Sequence, residues 1–264
     1  MLNKIVNQTR ETIKEAKRMI PLKAIMSKAT RGDFAFSATI SRHDWSLIAE
    51  CKLASPAKGT LCPRHTVVEL AKIYANSGAT ALSVHTNAAF SGRMADIVDV
   101  KKAVDVPVLC KEFIIDEYQL VAARAAGADA VLLIAALLSN TELSRFLQIA
   151  GELGMDSLVE VHTLPELKRV QQTAAKIVGI NNRDLRSFTT NIEQTFTLLP
   201  YCDLGRLIIS ESGIRNEQDA GKLKKAGVNG ILVGEALVTA GDISVKTNEL
   251  ALGQKRQEGE IVNA

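Results

Sequence analysis

The sequence lacks any long apolar run, and its charges nearly cancel. No stretch approaches the roughly 20 apolar residues that a helix needs to cross a bilayer. The N-terminus is charged and amphipathic, unlike a secretory signal. The 32 basic and 29 acidic side chains leave a net charge of +3, which argues against a broad nucleic-acid-binding face but is compatible with a local basic pocket for an anionic small molecule. We therefore expect neither a membrane protein nor a nucleic-acid-binding protein.

Cysteine is also scarce. Cys51, Cys62, Cys110 and Cys202 show none of the paired spacings typical of metal sites. Cys51 and Cys110 lie within strand-like runs, where alternation turns them towards a covering layer of helices. We expect small buried thiols in a reducing cytoplasm, and no metal ion.

Aromatic residues make up only 4% of the chain, whereas 47% of the residues are hydrophobic. A core of Val, Ile, Leu and Ala is therefore implied, as buried parallel strands and their helices require. A length of 264 residues is ordinary for one (β/α)8 barrel and also sufficient for two smaller domains.

Apolar, β-branched runs alternate with amphipathic segments along most of the chain. The predicted strands are residues 47–52, 79–84, 107–111, 129–134, 157–161, 176–181, 206–211 and 230–234. Predicted helices cover residues 3–20, 66–77, 95–103, 117–126, 140–153, 164–172, 192–199 and 217–226. Glycines suited to left-handed helix ends precede several strands, at Gly78, Gly127, Gly154 and Gly227.

This alternation predicts an α/β protein with a single (β/α)8 TIM barrel. The alternative is an open doubly wound sheet, which more often carries a glycine-rich turn after its first strand, and no GxGxxG lies there. No low-complexity linker divides the chain. We expect one domain over residues 1–264, with an N-terminal helical extension over 1–46 and the barrel over 47–264.

Three ionisable residues, Lys52, Lys111 and Glu160, lie at or near the C-terminal ends of buried runs. A charge in such a place is costly unless it lines a polar cavity. The C-terminal ends of barrel strands open onto one active site, so we expect these groups to converge. A surface ion pair between Lys52 and Glu50 is the less favoured reading, because a buried run carries both.

Further polar residues occupy the same ends of other strands. They are Asn181 and Arg183 after the sixth run, and Glu211 and Ser212 after the seventh.

The last two strand ends have the composition of a phosphate site. Gly213 and Gly234 allow close backbone approach, and the start of a short helix favours an anion. The SPAKG loop adds Ser55 and Lys58 near the same mouth. We expect the amide of Glu235 to face the phosphate and its carboxylate to point away.

Seven segments, one per strand and in order, resemble indole-3-glycerol phosphate synthases. They are ECKLASPAKG, PVLCKEFIIDEYQ, GADAVLLIAALL, LVEVH, IVGINNRDL, SESGI and LVGEAL. The resemblance covers about residues 44–240, and the N-terminal helix fits the extension usual in that family. It implies ring closure of 1-(2-carboxyphenylamino)-1-deoxyribulose 5-phosphate with loss of carbon dioxide and water, in tryptophan biosynthesis. It implies no cofactor, and it allows association with other tryptophan-pathway enzymes.

The resemblance also implies residue roles. Lys111 would be the general acid, Glu160 the general base in dehydration, and Lys52 the contact for the departing carboxylate, with an exchange of the acid role between Lys52 and Lys111 left open. Glu50 and Asn181 would orient the lysines and the sugar hydroxyls, and Arg183, Glu211 and Ser212 would complete the polar lining. Phosphate would be held by Ser55, Gly213, Gly234 and the amide of Glu235, and Lys58 would be a further substrate-binding residue near the same end of the cavity. The aromatic ring would pack on Phe90, Phe113, Leu132 and Leu232.

The chain departs from the family pattern in the segment SVHTNAAFSGR. His85 stands where leucine is usual, Asn87 stands where aspartate is usual, and Phe90 is the one aromatic residue of a shortened loop. That loop normally helps to enclose the aromatic ring of the substrate. Substrate affinity and loop closure are therefore where we expect this chain to differ.

Two other functions remain open on sequence grounds. One is a different phosphate-binding barrel enzyme, such as a sugar-phosphate isomerase, which would rely on an Asp/Cys or Asp/Asp pair instead of two lysines and a glutamate. The other is a non-catalytic barrel that binds a partner synthase. Such a binder would have little reason to bury several charges.

Overall fold

The computed structural model describes residues 2–184 and 189–253, and within them eight parallel strands close into a barrel in sequence order. The strands are β1 (Ser46–Cys51), β2 (Ala81–His85), β3 (Val108–Lys111), β4 (Ala130–Ile134), β5 (Asp156–Val161), β6 (Ile177–Asn181), β7 (Leu207–Glu211) and β8 (Gly230–Val233). The first strand closes the barrel by pairing with both β2 and β8, with Ile48 opposite Ala81 and Ser46 opposite Gly230. The predicted (β/α)8 barrel is confirmed.

Helices cover the outside of the barrel. They are α1 (Leu2–Met19), α2 (Leu22–Met26), α3 (Ala35–Arg42), α4 (Val67–Asn76), α5 (Met94–Ala103), α6 (Glu117–Ala125), α7 (Asn140–Glu152), α8 (Leu164–Gln171), α9 (Glu193–Leu198), α10 (Glu217–Lys225), α11 (Glu235–Val238) and α12 (Ile243–Leu250). Sequence periodicity predicted the longer helices to within two residues at each end, but it missed α2, α3, α11 and α12. Among the described residues, no helix is both long enough and apolar enough to cross a membrane.

Two apolar layers follow from the alternation of strand side chains. Outward residues such as Leu47, Ala49 and Cys51 pack beneath the helices. Inward residues such as Ile48 and Leu109 fill the barrel interior. Cys51 and Cys110 therefore face the helical layer, as predicted, and all four cysteines are free thiols.

The N-terminal end of the barrel is closed by α3. Phe36 and Ile40, one helical turn apart, are almost fully buried among the inward strand residues. The carboxylate of Asp156, at the start of β5, accepts a 2.8 Å hydrogen bond from the backbone N–H of Ser37 in the first turn of α3, where the helix dipole favours a negative charge. One end of the barrel is thus packed with hydrocarbon, and polar side chains are left to the other end.

The glycines predicted to end helices adopt the left-handed conformation, with φ of +96° at Gly78 and +70° at Gly154. At Gly154 a side chain is also excluded by space, because a Cβ there would lie 2.1 Å from the carbonyl oxygen of Gly32. This close backbone approach fixes the segment that leads into α3.

Candidate active site

The C-terminal ends of the strands open into a cavity of about 640 Å³, a size typical of small-molecule sites. Every residue that the sequence nominated for the site lines this cavity. These residues are Glu50, Lys52, Ser55, Lys58, Phe90, Lys111, Phe113, Leu132, Glu160, Asn181, Arg183, Glu211, Ser212, Gly213, Leu232, Gly234 and Glu235. The predicted convergence of distant strand ends is therefore confirmed as geometry, while the chemical role of each residue is a separate question.

Lys111 is the centre of the charged cluster. Its Nζ lies 2.6 Å from Oε2 of Glu211 and 3.4 Å from Oε2 of Glu160. Burial alone would lower the pKa of Lys111, but Glu211, Glu160 and Glu50 together raise it above its ordinary value. The sequence could not give the sign of this shift. The raised pKa favours the protonated ammonium form of Lys111, which is the form that a general acid requires.

Glu211 carries the most perturbed carboxylate of this cluster. Burial raises its pKa to about 7, against the opposing effect of Lys111. Its Oε1 occupies space that Gly179 of β6 leaves free, since a Cβ at that glycine would lie 2.1 Å from it. The absence of a side chain at Gly179 therefore allows the Glu211 carboxylate to occupy the position from which it contacts Lys111.

Glu160 is stabilised as an anion. Burial would raise its pKa, but Lys111, His162 and a hydrogen bond from Asn181 lower it below the ordinary value. Nε2 of His162 lies 3.3 Å from Oε1 of Glu160, and its Nδ1 lies 3.6 Å from Glu166 at the start of α8. His162 does not line the cavity, so it contacts Glu160 from the side that faces away from the cavity.

A second charged cluster surrounds Glu50. Its Oε2 lies 3.4 Å from Nζ of Lys52, and its Oε1 lies 2.9 Å from Nε2 of His85. Burial would raise the pKa of Glu50, but Lys52, His85 and Lys111 hold it well below its usual value. A Cβ at Gly234 would lie 2.0 Å from Oε2 of Glu50, so this glycine makes room for the carboxylate.

The phosphate-like end of the cavity lies at the last two strand ends. Ser212 and Gly213 are both left-handed, with φ of +66° and +81°. A non-glycine residue in this region is uncommon and is often found at functional sites. Gly234 directly precedes α11, so the start of that helix also borders the cavity.

The carboxylate of Glu235 was expected to point away from an anion. In the structure its Oε1 accepts a hydrogen bond from Nζ of Lys58, and its Oε2 lies 3.9 Å from the guanidinium of Arg183. These two cations lower the pKa of Glu235 against the effect of burial. The negative charge at the mouth is thus neutralised by residues from two other loops.

Sequence reasoning did not nominate several residues that line the cavity. His85 was noted only as a departure from the family pattern, because its neighbour Glu50 lies 35 positions away and only the barrel register joins them. Leu2 and Ile5 of α1 also line the cavity, and the amphipathic pattern of the N-terminal helix was the signal for them. Glu112 accepts hydrogen bonds from Thr86 and Asn87 and so ties the loop after β2 to β3.

Among the described residues, no group of three or more His, Cys, Asp or Glu side chains is arranged to hold a metal ion. The arrangement instead offers the amino groups of Lys52 and Lys111 and several carboxylates in one cavity. Such a site can give and take protons and bind an anionic sugar phosphate.

A family model for indole-3-glycerol phosphate synthase matches residues 2–250. The chain belongs to the indole-3-glycerol phosphate synthase family. An indole-3-glycerol phosphate synthase from Desulforamulus reducens is 46% identical, with 98% of this chain and 99% of the relative covered. One from Alkaliphilus metalliredigens is 40% identical, with 96% and 98% covered.

Solved structures more distant than these synthases share the fold. A crystal structure of 3-hexulose-6-phosphate synthase superposes with a TM-score of 0.66 at 18% identity, covering 79% of this chain and 99% of that one. At this identity the likeness concerns the barrel alone. The family match, by contrast, spans both the N-terminal helix and the barrel that carry the indole-3-glycerol phosphate synthase motifs.

Proposed function

We propose that this chain is an indole-3-glycerol phosphate synthase, converting 1-(2-carboxyphenylamino)-1-deoxyribulose 5-phosphate into indole-3-glycerol phosphate, carbon dioxide and water. The observation that carries the proposal is the convergence of Lys52, Lys111 and Glu160 on one cavity in a chain of this family. No feature of the site favours an isomerase or a non-catalytic binder.

Ring closure joins an electron-rich carbon of the aromatic ring to the ketone carbon of the sugar chain. The carbonyl oxygen must gain a proton as the bond forms, and we assign that proton to Lys111. Its ammonium group is buried and held by two carboxylates, so it is both protonated and fixed in direction. General acid catalysis of this kind contributes about 10²–10⁴-fold.

Decarboxylation and dehydration follow. We assign Lys52 to the carboxylate that leaves as carbon dioxide, with Arg183 and Ser212 completing the polar lining. In the dehydration, the hydroxyl formed from the carbonyl oxygen gains a second proton from Lys111, which is reprotonated from solvent after ring closure, and departs as water. Glu160 is the base that takes a proton from the neighbouring carbon in this step. Its lowered pKa keeps it ionised for that step. Glu50 and Asn181 orient Lys52 and Glu160 respectively.

Substrate binding divides between the two ends of the cavity. Ser55, Lys58, Gly213, Gly234 and the amide of Glu235 would hold the phosphate, as oriented amides and a helix start favour an anion. The opposite wall is apolar and suits the aromatic ring of the substrate. It is formed by Phe90, Phe113, Leu132 and Leu232.

We further propose that the reaction needs no cofactor, because side-chain proton donors and acceptors suffice to assist ring closure, loss of carbon dioxide and loss of water. We treat the chain as one domain in which residues 1–46 form an extension that contributes Leu2 and Ile5 to the cavity wall. A cytoplasmic location is consistent with four free cysteines and a phosphorylated biosynthetic substrate.

The direct test is a fluorescence assay, since the indole product has an emission that the anthranilate-derived substrate lacks. Purified protein mixed with that substrate should give a rising product signal. Lys111→Ala should bind substrate but turn over about 10²–10⁴-fold more slowly, because the proton donor is lost. A flat trace from wild type despite measurable substrate binding would refute the function, and near-normal turnover by Lys111→Ala would refute the role of Lys111 as the acid.

A further inference from the structure

His85 lies at the end of β2, where it touches both the catalytic cluster and the loop that follows. The side chain is almost fully buried and lines the cavity. Strand pairing places β2 beside β1, with Glu50 opposite Ser83. This register brings the imidazole to the carboxylate that also holds Lys52.

The Glu50 carboxylate is shared between two partners. Its Oε1 lies 2.9 Å from Nε2 of His85, and its Oε2 lies 3.4 Å from Nζ of Lys52. Among the described residues, the buried Nε2 atom of His85 makes no well-aligned hydrogen bond, so the Glu50 carboxylate is a close neighbour that the imidazole has not yet fully engaged. A separation of 2.9 Å is within hydrogen-bonding range, and contacts of this kind often align only when a substrate is bound. The position of the carboxylate, and therefore of the Lys52 ammonium, depends on the imidazole.

The face of the same imidazole is stacked on Phe90. The two ring centroids are 4.3 Å apart and the ring planes differ by 2°. Nζ of Lys52 lies 5.6 Å from the centroid of the Phe90 ring. Gly92 lets the loop close on this strand end, because a Cβ there would lie 2.1 Å from the carbonyl oxygen of His85. His85 thus joins the apolar wall to the charged cluster.

We propose that His85 is a positioning residue, which holds Glu50 so that the Lys52 ammonium faces the substrate and which supports the Phe90 wall by stacking. The inference rests on the proposed function, in which Lys52 contacts the departing carboxylate. Its two roles use different parts of the ring, the Nε2 atom for Glu50 and the ring face for Phe90. Substitutions can therefore separate them.

The charge state of His85 depends on the groups that face it. Burial lowers the pKa of its imidazole, Lys52 and Lys111 act in the same direction, and Glu50 opposes them. His85 is therefore neutral at neutral pH. An imidazolium formed in acid would bind Glu50 more tightly and repel Lys52, so the positioning role predicts a loss of kcat on the acid side.

The test uses two complementary variants of the full-length enzyme. His85→Phe keeps a ring to stack on Phe90 and loses the nitrogen, whereas His85→Gln keeps a donor for Glu50 and loses the ring. For His85→Phe we expect kcat to fall about tenfold or more, as for loss of one hydrogen bond to a buried charge, with KM within about twofold of wild type. For His85→Gln we expect kcat within about threefold and a raised KM, since the wall is loosened.

The acid side of the kcat profile gives a second readout. Wild type should lose kcat as His85 protonates, and His85→Phe should lack that part of the decline. His43→Gln is the matched control, because His43 is exposed and its imidazole, among the described residues, bonds only the carbonyl of Thr39 in the preceding helix α3. That variant should keep the wild-type kcat, KM and pH profile. Thermal unfolding of each variant reports whether the fold is intact.

Wild-type kcat and an unchanged acid limb in His85→Phe would overturn the inference and leave the proposed function standing. Equal losses of kcat in both variants would also overturn it, because they would indicate packing alone. Absence of turnover by wild type would instead refute the proposed function, and this inference with it.

Discussion

At the scale of single residues, the site is dominated by an excess of carboxylates around one lysine. Glu211 and Glu160 both contact Lys111, yet one ammonium can neutralise only one of them. Glu160 receives further support from His162 and Asn181, whereas Oε1 of Glu211 is buried with no hydrogen-bond partner among the described residues. The loss of hydration is therefore least compensated at Glu211, and burial raises the pKa of this carboxyl to about 7.

This shift predicts a pH-dependent cost in stability. Glu211 has an ordinary pKa of 4.5, expected for the unfolded chain, and about 7 in the fold. The folded state therefore binds more protons between these values, and the free energy of unfolding falls as pH rises through this window. For Glu211→Gln, which cannot ionise, the free energy of unfolding relative to wild type should rise by roughly 2–3 kcal/mol from pH ~5 to pH ~8.

Urea denaturation of both proteins at the two pH values measures this difference. A difference that stays constant within about 0.5 kcal/mol would show that Glu211 ionises in the fold as it does in the unfolded chain. The site would then not depend on a destabilised carboxylate.

At the scale of elements, glycines in or directly after the strands make room for the charged side chains of the cavity. Gly179 of β6 gives space to Glu211, and Gly234 after β8 gives space to Glu50. The sequence predicted Gly234 for phosphate binding, but it gave no reason to single out Gly179. Their packing role depends on which strand lies alongside, and only the closed register of the barrel supplies that information.

Gly179→Ala should therefore impair catalysis more than folding. The added methyl group would lie 2.1 Å from Oε1 of Glu211, so the carboxylate must move and take Lys111 with it. We expect kcat to fall at least about tenfold, the scale of a misdirected proton donor, while circular dichroism keeps the wild-type shape.

Gly151→Ala in α7 is the matched control, because a Cβ there meets nothing within 4 Å. It should leave kcat unchanged and stabilise the helix by about 0.5–1 kcal/mol. Equal kcat values for Gly179→Ala and wild type would show that Glu211 need not occupy its present place.

The elements themselves were predictable to different degrees. The eight strands are buried on both faces, so their Val- and Ile-rich runs identified them directly. Short helices such as α2, α3 and α11 have too few turns for a helical period to be recognised in the sequence. Their formation depends on tertiary packing. For α3 the sequence predicted only a helical extension over residues 1–46, whereas the structure shows Phe36 and Ile40 closing one end of the barrel.

At the scale of the whole molecule, the barrel topology brings residues that are distant in sequence together at one end of the barrel. Charged residues at strand ends were predictable because the ends of parallel strands converge. The partners of those residues were not, as His85 beside Glu50 and Lys58 beside Glu235 illustrate. Such pairs form between neighbouring strands or loops that lie far apart in the chain, and a one-residue change in register would separate them.

The central claim is that Lys52, Lys111 and Glu160 act on one bound sugar phosphate. A crystal structure with the substrate or a stable analogue tests it most directly. The account predicts phosphate at the turns of Gly213 and Gly234, the aromatic ring beside Phe90 and Phe113, and all three charged side chains in contact with the ligand. Phosphate bound elsewhere, or a ligand out of reach of Lys111 and Glu160, would contradict it.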